Sequence, residues 1–143
     1  MIVENVEIIE KPSFIDYLRS GWQINLHVAI DFTASNGESS LVSSLHYLGE
    51  FNQYEQAILS VGSILEMYDQ DKSFPVYGFG GLPRYFGGNQ VSHCFNLNGN
   101  AMNPDVLGTQ GILHAYRTNL PNISLSGPTY FSHFLNQVVL TVK

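Results

Sequence analysis

The stretch at residues 29–37, AIDFTASNG, decides how this chain is read. It follows an apolar run, residues 22–28 (WQINLHV), that reads as a strand. The strand ends in a carboxylate and then sets hydroxyls at every second residue: Asp31, Thr33, Ser35. In an extended segment, residues i, i+2 and i+4 project to one side, so these three oxygens can meet at one point. One carboxylate with neutral oxygens suits a hard divalent cation, Mg²⁺ or Mn²⁺ first and Ca²⁺ second. A mostly neutral shell leaves such an ion electrophilic enough to take a carboxylate from a partner. The same spacing also suits an Asx- or Ser-type turn whose side chains bond nearby backbone, and both readings stay open.

The rest of the chain supplies the context. Residues 11–22 (KPSFIDYLRSGW) predict a short helix with Ser13 as N-cap, Phe14, Tyr17 and Leu18 on one face and Gly21 as terminator. Residues 24–31 (INLHVAID) are apolar on both faces, as in a central parallel strand. A polar loop follows. Residues 52–71 carry Tyr54, Ile58, Val61, Ile64, Leu65 and Tyr68 at helical spacing. Residues 74–81 (FPVYGFGG) read as a second strand starting with Pro75, which is tolerated at a strand start, and residues 91–98 (VSHCFNLN) alternate as a third. Residues 105–121 predict a helix capped by Asp105 and stopped by Pro121. Residues 122–129 (NISLSGPT) form a short strand or loop, and a last helix begins with Thr129 near its N-cap.

Strand–helix alternation of this kind favours an α/β layer fold with a doubly wound, mostly parallel sheet flanked by helices. In such sheets ligands bind at the carboxyl ends of the strands, which is where Asp31 lies. The predicted elements stop where a further strand should enter, so the chain reads as the front part of a domain, incomplete at its C-terminus.

Composition narrows the function. The chain has 143 residues, 44% hydrophobic and 13% charged, enough for one domain with a real core. Net charge is −6, from 6 Lys+Arg against 12 Asp+Glu. No basic stripe is available to displace counterions from nucleic acid or to dock directly on an anionic membrane. One cysteine, Cys94, leaves no disulfide framework and fits a cytoplasmic location. The N-terminus does not read as a signal peptide, and no apolar run approaches the roughly 20 residues of a membrane span.

Other motifs carry less. Asp69, Asp71 and Ser73 repeat the D-x-D-x-S pattern, but between a helix and a strand, where a solvated turn is expected. Gly78–Gly81 lacks a Walker lysine and opens no helix, so strand-end packing explains it better than a phosphate cradle. The five histidines lack metal-ligand spacing and read as core or surface residues, and Cys94 reads as a small buried apolar residue. No catalytic residue stands out.

Against this background the sequence resembles the copines. The likeness is carried by SFIDYLRSGWQINLHVAIDFTASNGESSLVSSLHYL (residues 13–48), YDQDKSFPVYGFGG (68–81), VSHCFNLNG (91–99) and GTQGILHAYRTNLPNISLSGPTYFSHFLNQV (108–138). The resemblance implies a linker, residues 1–12, from a preceding module, then a von Willebrand factor A-like domain over residues 13–143. In such domains D-x-[ST]-x-S forms a metal-ion-dependent adhesion site, matched here by Asp31, Thr33 and Ser35. The family's threonine from a second loop falls on Thr129. An aspartate after a further strand has no counterpart here.

The implied role is a protein-binding module, not an enzyme, that takes an acidic residue of its partner at the metal. It would belong to a cytoplasmic adaptor recruited to membranes in response to calcium, through phospholipid-binding C2 domains outside this chain. The alternatives are a metal-assisted hydrolase or phosphotransferase using the same ion, and a structural, oligomerising fragment with no ion.

Overall fold

The computed structural model describes residues 5–142. The first four residues of the expected linker lie outside them, and residues 5–12 carry neither helix nor strand.

The central element is β2 (Ser73–Phe79). Along one edge it pairs in parallel with β1 (Val28–Asp31), from Val28 opposite Val76 to Asp31 opposite Phe79. Along the other edge run two short antiparallel strands, β4 (Phe95–Asn96) and β5 (Asp105–Leu107). They share that edge because the Val76 N–H donates to the Pro104 carbonyl while the Val76 carbonyl accepts from the Leu97 N–H. A separate ribbon joins β3 (Gly81–Pro83) to β6 (Ile123–Leu125), also antiparallel. The architecture is α/β with a small mixed sheet. Among the described residues, the parallel pairing of the expected doubly wound sheet is limited to the β1–β2 pair and a single bridge from Thr33 to Ser126.

Helices cover both faces of β2, as strand alternation requires. On one side Phe74 and Val76 join Ile30, Phe32, Phe95, Ile112, Tyr116 and Leu120 in the core, under α2 (Gln53–Leu65) and α3 (Gly108–Asn119). On the other, Tyr77 and Phe79 meet Phe134 and Phe131 of the segment that forms α4 (Ser132–Thr141), with ring centroids 5.7 and 5.3 Å apart. Gly78 has no room for a side chain: a Cβ there would stand 2.5 Å from the Phe95 ring and 2.7 Å from Phe32. Among the described residues no helix is long and apolar enough to cross a membrane.

Several local expectations hold. Ser13 caps α1 (Phe14–Arg19) in a capping box with Asp16, and Gly21 follows with φ +96°.

Others are corrected. Pro75 lies within β2 rather than at its start; the Val76 N–H points to the β5 edge, so the nitrogen of Pro75 points to the other edge, ahead of the first β1 pair at Val28 and Val76. The first strand is shorter than residues 24–31, because only Val28–Asp31 find partners on β2. The third strand shrinks to Phe95–Asn96, since Ser92 is already spent bridging Gly80 and Gly81. Asp105 caps no helix. It lies in β5, accepting from the Ser73 hydroxyl at 3.0 Å, and the first turn of α3 is held by Glu66, whose Oε2 accepts from Thr109 Oγ1 at 2.8 Å. Thr129 is not at the α4 cap, which falls on Phe131. On α2, Ile58 is buried but Val61, Ile64 and Tyr68 beyond it are exposed, so the apolar stripe is wider than the face it buries. Asp69 is not solvated: it is buried, and burial raises its carboxyl above the usual range.

Candidate functional site

The site is built at the carboxyl end of β1. The strand register carries one residue further, with the Phe32 N–H donating to the Phe79 carbonyl at 2.8 Å. The chain then leaves β2 and meets the segment after β6, where Thr33 bridges Ser126 and the Ala34 N–H donates to the Ser126 carbonyl. A single 3₁₀ turn, Ala34–Asn36, ends at Gly37 with φ +85°. Gly80 brings the loop after β2 against this turn. Its φ is +74°, and a Cβ would stand 2.5 Å from Thr33 Cγ2.

Within this frame the three predicted residues converge. Asp31 Oδ1 accepts from the Thr33 N–H at 2.8 Å and from Thr33 Oγ1 at 2.6 Å. Thr33 Oγ1 lies 3.3 Å from Ser35 Oγ. Thr33 is buried, Asp31 half-buried and Ser35 exposed, so the cluster opens toward solvent on the serine side. Both sequence readings are present in one geometry: an Asx-type turn closes on Asp31 Oδ1, and the hydroxyls lie beside it. Among the described residues Asp31 Oδ2 accepts no hydrogen bond.

Thr129 is not brought into the cluster. It is exposed, three residues past Ser126, and among the described residues it bonds to none of the three. Beside the turn a polar cleft of about 570 Å³ runs from Ala34, Glu38 and Ser39 to Arg84 and Ser124.

The main-chain carbonyl of Asp31 is held more firmly than its side chain. It accepts from His46 Nε2 at 2.7 Å and Asn36 Nδ2 at 3.0 Å, and the Tyr54 hydroxyl lies 3.2 Å away. Asn36 also donates to the Thr33 carbonyl at 3.1 Å. His46 is fully buried, its ring stacked between Phe32 and Tyr54 with centroids 5.2 and 4.2 Å apart. Its Nδ1 is 2.8 Å from the Tyr116 hydroxyl, which in turn accepts from Asn52 Nδ2 at 3.1 Å. A carbonyl can only accept, so Nε2 carries the imidazole proton and Nδ1 accepts from Tyr116. Burial holds His46 below its ordinary pKa, against the opposing pull of the Asp31 carbonyl and charge. Burial, and then the Asp31 charge, push Tyr54 up to about 12.

Sequence reasoning finds Asp31, Thr33 and Ser35 but misses this support. Asn36 stands inside the quoted stretch, and an Asx-type bridge from it is a signal available in the sequence. His46, Tyr54, Asn52 and Tyr116 carry no spacing signal, because they reach the site from 15 to 70 residues away in pairwise separation. His46 is a core histidine, as expected. Cys94 is half-buried and its thiol is pushed up by burial, which makes it a poor nucleophile.

The donor set fits a hard cation. A hydroxyl that donates to a carboxylate keeps its lone pairs, so Thr33 and Ser35 can still ligate beside Asp31. Among the described residues no three His, Cys, Asp or Glu side chains converge, so such an ion would rest on one carboxylate and neutral oxygens.

Comparison with known proteins agrees on a family. The sequence model of a family described as Copine matches residues 44–143. The chain is 48% identical over 131 residues to Protein BONZAI 1 of Arabidopsis thaliana, covering 90% of this chain and 22% of that protein. It is 50% identical over 127 residues to Protein BONZAI 2 of the same plant, covering 87% of this chain and 21% of that one. Matches of this length must include residues 31–35. The chain spans about a fifth of the length of these relatives. With the family model matching well over half of its residues, the chain belongs to the copine family.

Proposed function

We propose that the chain is the cation-assisted protein-binding module of a copine, with a von Willebrand factor A-like fold. The observation that carries this reading is the convergence of Asp31, Thr33 and Ser35 at the end of the parallel strand β1. Mg²⁺ or Mn²⁺, bound there, would supply an electrophilic centre for a carboxylate of the partner. Asp31 contributes the one negative charge, and Thr33 and Ser35 contribute neutral oxygens. The partner's flanking surface would lie along the cleft between Ala34 and Arg84. Thr129 would join by a movement of the segment after Ser126, whose backbone already bonds Ala34.

On this reading, calcium-dependent phospholipid binding and recruitment from the cytoplasm would fall to C2 domains outside this chain. Hydrolysis by the same ion is the weaker reading. The titratable ring closest to the cluster, His46, has both nitrogens engaged, one with Asp31 and one with Tyr116, so neither is free to act as a base.

The test is thermal unfolding with and without millimolar Mg²⁺ or Mn²⁺, beside Asp31→Ala. A ligand that binds only the native state raises stability by mass action. A cation-dependent rise in the parent that is lost in the variant supports the reading. A cooperative transition that is indifferent to both cations sinks it.

A further inference from the structure

The Asp31–Phe32 peptide is gripped from both sides. Its N–H end is on β2, with Phe32 N bonded to the Phe79 carbonyl at 2.8 Å. Its carbonyl end is on the opposite side, against His46, Asn36 and Tyr54. The direction of donation runs one way through the second grip. Asn52 Nδ2 donates to Tyr116, Tyr116 to His46 Nδ1, and His46 Nε2–H to the Asp31 carbonyl. Each member fixes the role of the next. With Tyr116 donating to Nδ1, the proton must sit on Nε2, the only tautomer that can bond the carbonyl. The relay begins at Asn52, the N-cap of α2, and passes through α3 at Tyr116.

We infer that the Asn52–Tyr116–His46 relay is a positioning device for the candidate cation cluster, tying the placement of helices α2 and α3 to the orientation of Asp31. The inference rests on the cation-site reading for its purpose. The cause is mechanical. Fixing the peptide plane fixes the direction in which the Asp31 side chain leaves the strand, and so its two bonds to Thr33. Asp31 and Thr33 held this way need no rearrangement of their own when a ligand arrives, which leaves only Thr129 to move, and groups that orient metal ligands typically carry roughly 10–100-fold in affinity. Tyr116 and His46 would touch neither ion nor partner. They act through Asp31.

Tyr116→Phe and Tyr54→Phe test this, because each keeps its ring and removes only a hydroxyl that orients a donor to the Asp31 carbonyl: Tyr116 acts on His46 in the relay, and Tyr54, 3.0 Å from Asn36 Oδ1, acts on Asn36 beside it. Two measurements need no cation: the imidazole ¹⁵N spectrum, which reports the His46 tautomer, and amide hydrogen exchange at Thr33 and Val76. The parent is expected to show protonated Nε2. In both variants Thr33, whose N–H is bonded to Asp31 Oδ1, is expected to exchange about tenfold faster or more, while Val76 in the sheet is unchanged. A Mn²⁺ titration is then expected to show affinity reduced by roughly 10–100-fold. A parent protonated on Nδ1, or variants in which Thr33 and Val76 exchange as in the parent, overturns the inference. If the parent and Asp31→Ala take up Mn²⁺ equally, the cation reading fails, and exchange at Thr33 still decides whether the relay positions Asp31.

Discussion

The carboxylate of Glu55 on α2, fully buried, is closed by the guanidinium of Arg117 on α3, whose side chain is 51% exposed. Glu55 also serves its own helix, because its other oxygen accepts from the Asn52 N–H at 3.3 Å and closes the capping box of α2. One ion pair therefore links the two helices just below the relay that reaches Asp31. Removing one partner of a buried pair strands the other charge, which costs about 3–5 kcal/mol when both are enclosed. Half-exposure of Arg117 lets water in, so Arg117→Met is expected to cost about 2–3 kcal/mol. Urea unfolding checks this. A loss under about 1 kcal/mol would mean that water already satisfies Glu55.

The His46 environment predicts a direction for pH dependence. Burial depresses the imidazole pKa in the native state, while the unfolded chain keeps the ordinary value of 6.5. A depressed base binds fewer protons folded than unfolded. Above about pH 6.5 both forms are neutral and nothing is lost. As pH falls below that value, only the unfolded chain gains the proton, so stability declines until the folded pKa is reached. The urea midpoint is expected to drop as pH falls through about 6.5, and to drop less in His46→Gln. Equal slopes in parent and variant would assign the decline to other groups.

Gly80 holds two loops together. Its φ is +74°, and a Cβ there would lie only 2.5 Å from Thr33 Cγ2, so alanine meets both backbone strain and a clash. The left-handed conformation alone costs a non-glycine residue about 1–2 kcal/mol. Gly80→Ala is expected to exceed about 2 kcal/mol, because Thr33 is buried and bonded to Asp31 and cannot swing away. Gly87→Ala is the comparison: its φ is also +74°, but its Cβ would meet nothing within 4 Å. Calorimetric unfolding of the two variants measures the difference. A cost equal to that of Gly87→Ala would show that crowding at Thr33 contributes nothing.

How much the sequence reveals follows from the range of the interactions. The α1 cap at Ser13, the end of β1 at Asp31 and the hydroxyl alternation after it are local, and local chemistry suffices to read them. The helix of α2 is legible as a helix, but not the face it buries, because that face includes the carboxylate of Glu55, whose cationic partner Arg117 lies 62 residues on. The strand directions escape the sequence for a related reason. Strand–helix alternation predicts parallel neighbours, whereas Phe95–Asn96 and Asp105–Leu107 return to β2 through loops without a crossover helix, which makes them antiparallel. The support under Asp31 lies hidden because histidine, tyrosine and asparagine have many uses, and only the fold selects this one.

Asp31→Asn separates charge from turn geometry more sharply than alanine does. An amide oxygen can still accept from the Thr33 N–H and Oγ1, as Asp31 Oδ1 does at 2.8 and 2.6 Å. Without added cation the variant is therefore expected to unfold within about 1 kcal/mol of the parent, the scale of one altered hydrogen bond. With Mg²⁺ or Mn²⁺ at about a hundred times its dissociation constant, the parent gains about 2.7 kcal/mol, and the variant, short of the one carboxylate in the cluster, gains little. Calorimetry with and without cation measures both terms. Equal gains in the two proteins would place the ion elsewhere. A loss of several kcal/mol in the absence of cation would mean that the carboxylate serves the turn itself, leaving the hydroxyls of Thr33 and Ser35 to structure alone.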